Sequence, residues 1–177
     1  MASILVVEDG TGTIASANTY ITVVEADTFC SQRGLTDWAT LSTANKEIAI
    51  IRGMGYVETF DFKGIKMSWQ DPLEWPRYGV WDESFQGNMT DLSSEELAFY
   101  QEVPPGVKKA ACQAAYEEAI SPGVLQPAGQ SNIQSETIDV ISVSYFRDKP
   151  SQPVYPNIEG FLKGLLNNKN VANIRRC

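Results

Sequence analysis

The side chains best suited to binding chemistry lie in Trp69-Gln-Asp-Pro-Leu-Glu-Trp-Pro-Arg-Tyr-Gly-Val-Trp81, which holds three of the four tryptophans in this chain of 177 residues. Tryptophan and tyrosine combine a large apolar area with a polar handle. On a turn-rich segment they form either a lid folded onto the core or an exposed platform for a partner. As a platform, Trp69, Trp75, Tyr78 and Trp81 would stack the bases of a single-stranded nucleic acid while Arg77 held a phosphate. As a lid, the same rings would be mostly buried and would fix the segment in place, with Trp75 the one expected inside and Trp81 the likelier to touch a neighbour.

Other chemistries find little support. The chain has no histidine, which removes Ser-His and Cys-His pairs and the commonest general base near neutral pH. Cys30, Cys112 and Cys177 are odd in number and form no Cys-x-x-Cys pair. They fit a reducing compartment and argue against a zinc site or a disulfide framework. Gly10-Thr-Gly12 lacks the further glycine and the Lys-Ser/Thr of phosphate-cradling loops. Glu95-Glu96 and Glu117-Glu118 are adjacent residues that cannot converge on a helix, so they read as solvated faces. Asp82, Glu83 and Asp91 lack the spacing of a calcium loop. The expectation is a protein with no catalytic residues, cofactor or metal; a hydrolase would need a deep pocket lined by two convergent acids.

The charges add a constraint. With 14 basic and 22 acidic residues the net charge is -8. No acid follows Glu159, whereas Lys163, Lys169, Arg175 and Arg176 do, so the tail is basic and the remainder strongly acidic. Between Arg77 and Lys108 lie Asp82, Glu83, Asp91, Glu95, Glu96 and Glu102 without a base among them. An acidic body repels phosphate. No apolar run approaches the roughly 18 residues that span a bilayer, and the start lacks the basic region of a signal peptide.

These residues must be positioned by a mainly helical fold. Ile4–Val7 reads as a strand or arm closed by Glu8-Asp-Gly-Thr-Gly12, with no partner close in sequence. Thr22-Val-Val-Glu25 is a capping box opening a helix to about Arg33, with Ala26, Phe29 and Cys30 inward. Trp38 falls in the following connection. Ser42 caps a helix to about Thr59 whose Ala44, Ile48, Ile51 and Gly55 recur at helical spacing, and Gly53 and Gly55 read as tolerated defects in it. Residues 60–102 form a long loop, with short helical content near Ser93–Tyr100. Pro104 and Pro105 open a helix with a small-residue stripe, Val107, Ala110, Ala111, Ala114, Ala115 and Ala119. Residues 123–136 read as a linker, and Thr137–Phe146 as a single strand. Asn157 caps a short final helix striped by Ile158, Phe161, Leu162, Leu165 and Leu166. The expected architecture is a bundle of three to four helices with a long aromatic-rich loop, a minor β element and an extended C-terminal arm. It divides into a helical body (1–122), a linker (123–136) and a C-terminal unit (137–177).

Six stretches, taken in order, resemble a known family: Ala17-Asn-Thr-Tyr-Ile-Thr-Val-Val-Glu-Ala-Asp-Thr-Phe29, Trp38-Ala-Thr-Leu-Ser-Thr-Ala-Asn-Lys-Glu47, Leu73-Glu-Trp-Pro-Arg77, Val103-Pro-Pro-Gly-Val-Lys-Lys-Ala110, Val140-Ile-Ser-Val-Ser-Tyr145 and Tyr155-Pro-Asn-Ile-Glu-Gly-Phe-Leu162. The resemblance is to tailed-bacteriophage proteins labelled DnaT-like single-stranded DNA-binding proteins. It implies a structural virion protein, a head-to-tail adaptor forming a ring, dodecameric like the portal, in the neck of a virion assembled in the host cytoplasm. Its partners would be further copies of itself, the portal, and a tail or neck protein below, with genomic DNA passing through unbound and no membrane. On that view Leu162, Leu165, Leu166, Val171, Ile174, Arg175 and Arg176 contact the portal. Trp69, Trp75, Arg77, Tyr78 and Trp81 anchor the loop or touch a neighbouring subunit, and Asp82, Glu83, Asp91, Glu95 and Glu96 face the channel or a subunit boundary. The alternative is a single-stranded DNA-binding module using the aromatic loop.

Overall fold

A computed structural model describes residues 3–80, 102–126, 135–138, 141–144 and 155–167. These residues form a mainly helical fold with five helices and two small antiparallel hairpins: α1 (Val23–Gln32), α2 (Thr36–Ala39), α3 (Thr43–Val57), β1 (Ile65–Lys66), β2 (Arg77–Tyr78), α4 (Pro105–Ile120), β3 (Ser135–Ile138), β4 (Ile141–Ser144) and α5 (Pro156–Leu162). The Ser93–Tyr100 helix and most of the proposed linker lie outside the described residues.

The N-terminal arm finds its partner within the next dozen residues, contrary to expectation. Val6 and Asn18 exchange hydrogen bonds, Glu8 N–H donates to Thr19 O at 2.9 Å, and Val7 bridges Thr19 in parallel. The Thr22–Glu25 capping box forms as expected, and Ala26, Phe29 and Cys30 are buried. Trp38 closes a single helical turn that the sequence does not signal, and its indole N–H donates to Asp27 at 2.7 Å.

Ser42 caps α3, but the expected apolar phase is wrong. The inward face carries Ala49, Ile50, Gly53, Met54, Tyr56 and Val57, while Ile48 is exposed. The helix is apolar on more than one side, so a single stripe at helical spacing does not decide which face is covered. Gly53 is a contact residue and not a tolerated defect. A Cβ there would lie 2.6 Å from Ala115 N and 2.7 Å from Ala114 C. The small-residue stripe of α4 therefore receives the bare backbone of α3. Gly53→Ala is expected to destabilise the fold by about 2 kcal/mol through overpacking, although alanine is the better helix former by about 1 kcal/mol. Urea denaturation checks this; stabilisation would contradict the close approach.

Helix α4 begins at Pro105 as expected, but Glu118 is only 1% exposed, not solvated. Its carboxylate accepts the N–H groups of Gly123 (2.8 Å) and Leu125 (3.0 Å) beyond the helix end, which gives a buried anion the donors it requires. The expected 137–146 strand is a hairpin, with Ser135 opposite Ser144 and Ile138 opposite Ile141. Tyr155, not Asn157, holds the N-cap position of helix α5, without a side-chain capping bond, and Pro156 opens its first turn. Gly106 lets the two helices meet, since a Cβ there would sit 2.6 Å from Phe161 O. Arg33 covers the Phe29 ring at 3.8 Å, and Phe29 in turn meets Phe161 edge-on.

Candidate nucleic-acid interface

The aromatic segment is neither the long loop nor the all-aromatic platform that the sequence allows. Its Arg77–Tyr78 stretch, β2, pairs with β1 just ahead of the segment, with Ile65 opposite Tyr78 and Lys66 opposite Arg77. Met67 N–H donates to Pro76 O, extending the pairing, and the Ser68 and Asp71 side chains each cap a backbone N–H in the connection. Gly64 is obligatory, because at φ +78° a Cβ would lie 2.2 Å from Tyr78 O. Trp69, in the connection, is 88% exposed, with Ile65 at 75% and Tyr78 at 46% on the strands behind it.

Two members of the proposed stacking set belong to the anchor. Trp75 is fully buried against Phe62, ring centroids 5.6 Å apart, and precedes a cis proline. Arg77 is 8% exposed, and its guanidinium is fully committed. Nε donates to Lys63 O, Nη2 to Phe62 O and Gly64 O, and Nη1 to the backbone and carboxylate of Glu74. All five N–H groups have acceptors, so none is left for a phosphate. The cations near the platform are Lys66, 3.9 Å from Glu74 Oε1, and Lys63, whose Nζ reaches Gly164 O. From Asp61 to Val80 there are three acids, Asp61, Asp71 and Glu74, and three bases, Lys63, Lys66 and Arg77. The hairpin is thus locally neutral on an acidic protein.

The anchor is also polar. Tyr20 O–H donates to Glu58 Oε1 at 2.6 Å and accepts from Trp75 N–H at 2.9 Å, and Glu74 N–H donates to Glu58 Oε2 at 2.6 Å. Sequence reasoning missed Glu58 and Tyr20, since nothing local connects them to a segment more than a dozen residues away. Burial pushes the Glu58 carboxyl up from 4.5 to about 7, against the pull of its hydrogen bonds, and burial likewise raises the Tyr20 hydroxyl, reinforced by Glu58. Because the folded state holds the Glu58 proton more tightly, this group's contribution is complete below pH 4.5 and is lost as pH rises through about 7. The expected loss is on the order of 2 kcal/mol. Glu58→Gln should flatten the stability profile across that window; parallel profiles for the two proteins would exclude this role.

Among the described residues, Leu162, Leu165 and Leu166 do not form a free docking strip. Leu162 is 0% exposed in the protein's own core, and Leu165 and Leu166 pack against it. Lys63 N–H donates to Leu165 O, and Phe62 bridges Leu166, so the stripe holds the hairpin base instead of awaiting a partner. Val171, Ile174, Arg175, Arg176, Trp81, Asp82, Glu83, Asp91, Glu95 and Glu96 lie outside the described residues.

Residues 3–177 match a family described as "Putative DnaT-like ssDNA binding protein". The chain belongs to this family. Its description concerns single-stranded DNA and nothing in it points to a phage neck. The head-to-tail adaptor expectation, with its portal, ring and tail partners and its unbound passing DNA, is corrected accordingly. No curated protein and no solved structure matches the chain significantly. Among the described residues, no helix is long and apolar enough to cross a membrane.

Proposed function

We propose that this protein binds single-stranded DNA through the β1–β2 hairpin, with Trp69 as the principal stacking surface and Ile65 and Tyr78 extending it. The observation that carries this reading is the 88% exposure of Trp69 beside a fully buried Trp75 on the same short segment. A large ring held in water by a rigid support has low conformational cost on binding, and every base offers a face for it to stack on. The family description agrees with this reading.

The charge map sets the character of the binding. Arg77 has no free donor, and among the described residues the other cations on the hairpin are Lys63 and Lys66. Affinity therefore comes mainly from stacking, and few counterions are released. A titration of an oligothymidylate across a salt series is expected to give a log-log slope no steeper than about -1.4, the value for two phosphate contacts on a single strand. A slope of about -4 or steeper would place the contact on a cationic surface elsewhere, and absence of binding at low salt would remove the function itself.

A further inference from the structure

The turn Glu8-Asp-Gly-Thr-Gly12 is built around a carboxylate. Gly10 and Gly12 adopt positive φ, +91° and +66°, a conformation that glycine reaches without strain. Their N–H groups converge on Glu8 Oε1 at 3.0 and 2.9 Å. This nest occupies one oxygen of Glu8 and leaves Oε2 buried with no hydrogen-bond partner. Across Gly12 lies Asp71: a Cβ on Gly12 would sit 3.4 Å from Asp71 Oδ2. Asp71 repeats the pattern, its Oδ1 accepting Leu73 N–H at 3.0 Å and its Oδ2 buried and unpartnered.

Two carboxylates at 3% and 4% exposure, each with one oxygen held by backbone amides and one left over, flank a glycine that has no side chain to separate them. Two buried like charges side by side are costly. The Glu8 carboxyl is raised by burial and, in part, by Asp71. Neither spare oxygen has a hydrogen-bond donor among the described residues. A cation placed between them neutralises the pair and satisfies both.

We infer that Glu8 Oε2 and Asp71 Oδ2 bind one hard divalent cation, which ties the N-terminal turn to the connection that presents Trp69. Oxygen-only carboxylate donors select magnesium, calcium or manganese over softer metals, and magnesium is commonly held by one or two carboxylates with waters completing its shell. The site is separate from the stacking surface, and the inference does not depend on DNA binding.

The test uses the full chain after chelator treatment, with magnesium and calcium added separately and sodium chloride at matched ionic strength as control. Calorimetry is expected to show one site per chain for at least one cation. At about 100 times its Kd, that cation should raise Tm by about 5–10 °C. Glu8→Gln and Asp71→Asn should each abolish the shift, so that either variant suffices if the other fails to fold. No heat and no Tm shift with either cation would overturn the inference, as would a shift retained in both variants, which would place binding on surface acids. A wild-type Tm that responds to acidification but to neither cation would assign the pair a proton instead.

Discussion

Trp75→Ala is expected to destabilise the protein by about 3–5 kcal/mol, the range for removing a large ring from a packed core. The indole is fully buried against Phe62, and its backbone N–H is the one that Tyr20 accepts. Removing the ring opens a cavity beneath the hairpin and loosens the Tyr20–Glu58–Glu74 network at its base. Urea unfolding followed by circular dichroism reads the loss. Trp75→Phe should cost clearly less, because it keeps most of the packing and removes an indole N–H that is buried without a partner. A change below about 1 kcal/mol for the alanine variant would mean that Trp75 is not the anchor.

Trp69→Ala, six residues away, is expected to do the reverse. With its ring 88% exposed, truncation should leave stability within about 0.5 kcal/mol of the wild type. Loss of base stacking should weaken single-stranded DNA binding by up to about 100-fold, or roughly 3 kcal/mol. Trp69→Phe should recover much of the affinity, since the ring face and not the indole N–H makes the contact. Arg77→Ala would lower affinity as well, but only together with stability, because its five donors fasten the hairpin to Lys63, Phe62, Gly64 and Glu74. Parallel measurement of unfolding and mobility shift separates the two cases.

The divergence between these tryptophans shows what the sequence could and could not convey. The helices were legible wherever local chemistry decides them: the Thr22–Glu25 box, the Ser42 cap, Pro105 at the start of α4 and the alanine stripe of α4 all form where expected. The phase of α3 was not legible, because Gly53 matters only when Ala114 and Ala115 lie across from it. The importance of the Trp69–Trp81 segment was visible in its composition. The burial of Trp75 was legible as well; the exposure of Trp69 and the anchoring partners Tyr20, Glu58 and Phe62 were not, since those partners are distant in sequence. Arg77 illustrates the same limit: an arginine among aromatics reads as a phosphate clamp until its five acceptors are counted. The resemblance carried by six ordered stretches led to a phage connector, whereas the description of the matching family concerns single-stranded DNA alone.

In the proposed binding mode Trp69 itself meets the bases. Tryptophan emission of the wild type, titrated with an oligothymidylate of about 12 nucleotides at about 50 mM salt, tests it most directly. Saturable quenching is expected in the wild type, with quenching absent over the same range in a folded Trp69→Ala variant. Quenching and affinity unchanged in that variant, or no binding by the wild type at all, would contradict it.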